Sequence, residues 1–262
     1  MRVVDKSYQE HRVFSEFSKY VEFYKHFSMS VFSFVSMGTK AFGNIDTYMY
    51  SSIQGTIKSI EAVLRAGRIN DAYALLRKYH DSVVINVYST LYLHDHLSIE
   101  NFVVEKINNW LQAKESLPEF RVMSQYIKAS PALKPINDIL NIDDRYKKLR
   151  SRCNDHMHYN FYRHVMLNDS EIHIDNRGEW LDRLSRDALD LFVLHLGYVF
   201  FLNGHYMMSS DHLDALECGM QPEGDSQYWV APYIQEIFDN IITPHRPDIT
   251  ATIKEWTTMQ LS

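Results

Sequence analysis

IQGTIKSIEAVLRAGRINDAYALLRKYHDSVV, residues 53–84, carries apolar residues at helical spacing on both sides of Gly67. Upstream of it, Ile45, Met49, Ile53, Ile57, Ile60 and Leu64 recur every three or four positions and share one face of a helix predicted over 46–66. Gly67 follows the last of them, where a residue free to take positive φ closes a helix. Asn70 is the expected cap of the next helix, from Asp71 to about Leu93, with Ala72, Leu75, Leu76, Tyr79, Val83, Val87 and Leu91 inward. A link this short folds the two helices back on one another, so an antiparallel hairpin is predicted.

Working outward, the same period extends over the rest of the chain. Phe14, Phe17, Val21, Tyr24, Phe27, Val31 and Val35 make an aromatic-rich helix over 7–36, unbroken until Gly38 and Gly43. Further helices are expected over 98–116, 119–129 and 181–203, the last with His195 on its apolar face as a core histidine. A helix near Trp229–Ile242, the break TPHRP at 243–247 and a short terminal helix complete the pattern. The polar stretch 167–180 reads as turns, with an alternation in Glu171–Asp175 that fits a short strand. Neither a repeat nor a shift in composition divides the chain. The expectation is therefore one all-α domain over 1–262, with a helical arm at 1–44 and a helical extension at 206–262.

Composition narrows the class. Hydrophobic residues at 45% and charged residues at 23% are an ordinary globular balance, and nine Gly with seven Pro are few for 262 residues. Cys153 and Cys218 make no disulfide framework or zinc-finger spacing, which fits a reducing cytoplasm. The N-terminus lacks the apolar core of a signal peptide, and the apolar run within Leu191–Leu202 is too short to span a bilayer, so a cytoplasmic chain without a membrane partner is expected. A net charge of −6 argues against indiscriminate coating of nucleic acid but allows a local basic groove.

Chemistry concentrates in RYKKLRSRCNDHMHYNFY, residues 145–162, on a helix expected from about Asn141 to Met166. Ile142, Tyr146, Leu149, Cys153, Met157, Phe161 and Val165 form its apolar stripe, which leaves the basic and imidazole groups to face a cleft or solvent. Cleaving an RNA phosphodiester without a metal needs a base for the 2′-hydroxyl, a cation for the phosphoryl charge and an acid for the leaving oxygen. His156 and His158 suit the proton work, since an imidazole titrates near neutrality. Arg150 and Arg152 suit the phosphate, because a guanidinium stays charged and can grip two oxygens. Arg145, Lys147, Lys148 and Tyr159 could hold neighbouring nucleotides of an RNA. Arg150, Asn154 and His158 share one helical face, as do Arg152 and His156, whereas Arg152 and His158 do not. On the preceding helix Arg77 and Asp81 stand four apart and form an ion pair that either is merely solvated or orients the 145–162 helix. The His-rich set His156, His158, His164 and His173 lacks a metal-binding pattern, so no metal ligand and no cofactor are assigned.

Arg152-Cys-Asn-Asp-His-Met-His158, an Arg and a His with five residues between them, Asn154 included, on a late helix, resembles the signature of the HEPN superfamily. The segment AYALLRKYHDSVV at 72–84 is similar to the earlier helices of such domains, and the resemblance covers about 45–205. It implies an HEPN-like helical bundle with N- and C-terminal extensions, and a metal-independent endoribonuclease of the toxin or phage-defence kind. On that likeness His158 is the acid–base, Arg152 or Arg150 steadies the phosphate, and Asn154 and Asp81 orient them. It also implies a homodimer with RNA as substrate and an antitoxin or sensor protein as a further partner. The alternative is a non-catalytic helical interaction module (antitoxin, sensor or scaffold) that makes contact through Phe14, Phe17 and Tyr24.

Overall fold

In the computed structural model, which describes residues 1–32 and 42–262, regular structure among those residues is helical. In chain order the helices are α1 (Lys6–Gln9), α2 (Arg12–Ser30), α3 (Ile45–Arg65), α4 (Ile69–His96), α5 (Glu105–Leu111), α6 (Phe120–Ala129) and α7 (Lys134–Leu140). After them come α8 (Arg145–Met157), α9 (Tyr162–Met166), α10 (Arg177–Leu202), α11 (Asp211–Glu217), α12 (Pro232–Ile237), α13 (Thr243–His245) and α14 (Pro247–Trp256). Two isolated bridges, Met208 with Val230 and Trp229 with Gln260, are the only strand-like pairing among the described residues. The expected strand at Glu171–Asp175 does not form, because Asp169 Oδ1 accepts the N–H groups of Glu171 and Ile172 at 2.8 and 3.0 Å and turns the chain.

The chain divides into two compact units, 1–123 with 144–192 and 124–143 with 193–262. In the first, the inward faces of α3 and α4 are those their spacing dictates: Ile53, Ile57, Ile60 and Leu64 are buried against Ala72, Leu76, Tyr79 and Val83. The link between them is a Schellman turn. Gly67 sits at φ +81°, its N–H bonded to the Leu64 carbonyl at 2.8 Å, and the Arg68 N–H reaches the Val63 carbonyl at 2.9 Å. A side chain at position 67 would run into Val3, which is why the position is a glycine. Because the turn delivers the chain straight into helix, α4 begins at Ile69, and Asn70 lies buried in its first turn instead of capping it.

α2 starts where the His11 ring accepts the Val13 N–H, at 3.3 Å. The predicted positions 33–36 lie outside the described residues. Phe14, Phe17, Tyr20, Phe23, Tyr24 and Phe27 are all buried, and each ring is worth about 2–3 kcal/mol of transfer free energy. Tyr20 stacks on Phe192 at 4.4 Å, Phe27 stacks on Tyr50 at 4.7 Å, and the Tyr24 and Tyr79 hydroxyls meet at 2.9 Å. Phe14, Phe17 and Tyr24 are therefore core, and the contact surface assigned to them above is not available to a partner. The helix expected over 98–116 shrinks to α5, with Ile99, Phe102 and Val103 exposed beforehand, while Val104 and Ile107 pack on Ile45.

In the second unit, Tyr198 donates its hydroxyl to Asn137 at 2.7 Å, and His195 is fully buried. The predicted break at 243–247 narrows to Arg246. A π turn over Phe238–Ile242 carries α12 into α13 past Pro244, which has no N–H to give an α-helical ladder. Among the described residues, no helix is long and apolar enough to cross a membrane.

Candidate functional site

α4 is buried on two sides. Its second face, one step around from the hairpin contact, receives α8, which buries Leu149, Cys153 and His156. The apolar stripe expected over 141–166 holds only for Leu149 and Cys153; Ile142, Met157, Phe161 and Val165 are exposed. The physical reason is that α8 stops early. Tyr159 adopts φ +49°, its N–H bonds to the His156 carbonyl at 3.3 Å, and the Asn160 N–H reaches the Asp155 carbonyl at 3.0 Å. This is a Schellman stop with tyrosine where glycine is usual, and it takes 161 and 165 off the α8 face.

Carboxylates hold the arginines of α8 to the neighbouring helices. Arg145 donates to Asp190 at 3.1 Å, and Arg152 grips buried Asp187 with both Nε (2.9 Å) and a terminal nitrogen. Arg150 donates to Asp81 at 2.7 Å and lies over the Phe120 ring, 3.1 Å from its centroid. Arg77 also pairs with Asp81 and donates its Nε–H to Asn154 at 3.1 Å. Asp81, Arg77, Arg150 and Asn154 thus form one connected cluster between α4 and α8. Burial, then the Arg150 charge, pushes the His80 imidazole beside them down to about 3, so it stays neutral and accepts from Arg150 at 3.3 Å.

The two candidate histidines have opposite settings. His156 is 1% exposed, stacked between Tyr73 (4.0 Å) and His164 (3.9 Å), with Trp180 edge-on at 5.4 Å. Its Nδ1 lies 2.8 Å from Asn70 Oδ1; an amide oxygen only accepts, so Nδ1 carries the proton and buried Nε2 is left without a partner. Burial, reinforced by His164 and by Arg163, Arg183 and Arg152, pushes this imidazole down to about 3. No substrate phosphate can reach it, so the role expected of His156 passes to the core. His158 instead caps α8 and is exposed, as are Lys147, Lys148 and Tyr159. Burial pushes the Cys153 thiol up to about 12, which keeps it unreactive.

Of the expected residues, then, Arg150, Asn154 and Asp81 are brought together, and Arg152 is tied separately to α10. The lysines and His158 face solvent, and Arg145 is engaged by Asp190. Among the described residues, no group of three His, Cys, Asp or Glu is placed to hold a metal ion. Residues outside the expected set also gather here. Arg163 and Arg183 flank Trp180 at 5.5 and 4.9 Å, and among the described residues neither they nor Arg186 pairs with a carboxylate. Arg183 and Arg186 were hidden by their distance in sequence from the basic run; Arg163 directly follows the 145–162 stretch, and its one hint was the aromatic run just before it. No family model, curated protein or solved structure matches the chain.

Proposed function

We propose that this chain is an HEPN-like endoribonuclease of the toxin or phage-defence kind, acting on RNA without a metal as a cytoplasmic homodimer. The observation that carries this reading is the α8 face of Arg150, Asn154 and His158. Two of the three are held by the Asp81–Arg77 pair, and the third ends the helix with its imidazole in solvent. Arg150 commits one terminal nitrogen to Asp81 and His80, which leaves its other N–H groups for a phosphate. In the step proposed, the His158 imidazole takes the 2′-hydroxyl proton and the 2′-oxygen attacks phosphorus. The P–O5′ bond then breaks and the 5′-oxygen departs with the proton that His158 had taken, giving a cyclic phosphate and a 5′-hydroxyl end. The Arg150 charge offsets what builds on the phosphoryl oxygens.

The test is RNA cleavage in EDTA by the native chain, His158→Ala and Lys147→Ala/Lys148→Ala, all three positions being exposed. Arg152→Ala is a poor probe, since it strands a buried carboxylate. His158→Ala should lose about 10²–10⁴-fold in rate with its circular dichroism unchanged, and the lysine variant should bind RNA more weakly. Equal cleavage by His158→Ala would refute the assignment. One observation favours a second reading, a non-catalytic module that binds an antitoxin or sensor: Arg145, Arg150 and Arg152 all act as internal clamps. That reading gains if the native chain cleaves no RNA.

A further inference from the structure

We infer that the segment Tyr159–Arg163, with Arg183 and Arg186 of α10, is a stacking platform for single-stranded RNA. The inference rests on the RNA reading above and gives that site its substrate form. A chain that buries six rings along α2 leaves three within four residues in solvent here: Tyr159 is 48% exposed, Phe161 49% and Tyr162 78%. They follow His158 directly in the chain. Tyr159 is also held in the left-handed region, which costs a tyrosine conformational energy that a glycine would avoid.

The cations beside these rings outnumber the carboxylates, the Asp155 side chain that Asn160 holds at 2.7 Å being the acid on this segment. Arg163 lies over the Phe161 ring at 5.1 Å and shares Trp180 with Arg183, while Arg186 stands one turn further along α10, exposed. None of the three forms an ion pair among the described residues, and buried Asp187, next to Arg186 in the chain, is already matched by Arg152. On a chain of net charge −6, a set of guanidiniums that stack on rings and form no ion pair among the described residues is complementary to a polyanion. Exposed rings interleaved with such cations are what a nucleotide chain with unstacked bases requires: the π-faces take bases and the guanidiniums take phosphates. A duplex, with its bases stacked inside, would use the charges and leave the rings idle.

The experiment is fluorescence anisotropy of the full-length protein with a short labelled 2′-O-methyl RNA. That strand cannot undergo 2′-oxygen attack, so binding is read apart from cleavage. Tyr162→Ala should weaken binding about 5- to 100-fold, the range one stacked base supplies, and Tyr162→Phe should restore it. Arg183→Ala/Arg186→Ala should lower the slope of log affinity against log salt by about 1.4, roughly 0.7 per phosphate released. The matching duplex should bind at least about tenfold more weakly. Tyr162→Ala binding like the native chain, a duplex binding as well as the single strand, or an acidic peptide binding where RNA does not would each overturn the platform. A native chain that binds but does not cleave supports the platform and counts only against the catalytic assignment of His158.

Discussion

Removing the Arg152 guanidinium should destabilise the protein more than its place on a half-exposed helix face suggests. Asp187 is 2% exposed, and its carboxylate receives Arg152 Nε at 2.9 Å, a second Arg152 nitrogen, and the Tyr73 hydroxyl at a long 3.4 Å. In Arg152→Ala the carboxylate keeps only the tyrosine. Stranding one member of a buried pair costs about 3–5 kcal/mol, and water entering the vacated space puts this case near 3. Against a urea slope of roughly 3 kcal/mol per molar for a chain of this size, the midpoint should fall by about 1 M. Arg152→Met/Asp187→Leu should recover to within about 1 kcal/mol of the native protein, because an apolar pair removes the desolvation cost along with the attraction. The pH dependence has a definite sign. Burial raises the Asp187 carboxyl above the usual range, with Arg152 partly offsetting it. Without Arg152 it rises further, so stability is lost as pH climbs through the raised value, and the deficit should narrow as pH falls from neutrality towards the usual carboxyl range. A loss below about 1 kcal/mol at neutral pH, or one that stays the same at acid pH, would refute the reasoning. Urea denaturation followed by circular dichroism and tryptophan fluorescence decides it.

Two further perturbations follow from the same geometry. His156, neutral in the fold with its imidazole pushed from 6.5 to about 3, must take up a proton on unfolding in acid, so it contributes stability that is lost as pH falls through that window. His156→Phe keeps a ring in the stack. It should flatten the decline of stability between about pH 5.5 and 4 by roughly 1.4 kcal/mol per pH unit, measured by urea midpoints across pH, and an unchanged decline would contradict the assignment. Tyr159→Gly relieves a left-handed tyrosine and should raise thermal stability by about 1 kcal/mol while weakening RNA binding; a destabilised variant would mean the ring earns more by packing than the backbone loses.

What the sequence determined is what periodicity and local turn chemistry control. The α3–α4 hairpin, the Gly67 stop and the all-α class follow from apolar spacing and one residue that tolerates positive φ. The aromatic face of α2 was legible for the same reason, and so was the Arg77–Asp81 pair, four residues apart on one helix. The fate of the basic helix was not. A guanidinium reads the same in sequence whether it faces solvent or a carboxylate contributed by a distant helix, and Asp187 and Asp190 lie 35 and 45 residues away from their arginines. Likewise His156 and His158 differ by two positions, but a helical step of about 200° sends one into the core and the other into water. The stop at Tyr159 could not be read from glycine placement, since a tyrosine takes the left-handed position. Only the packing of α8 against α4 and α10 decided which charges are held inside the protein and which, Arg163, Arg183 and Arg186 among them, have no ion pair among the described residues.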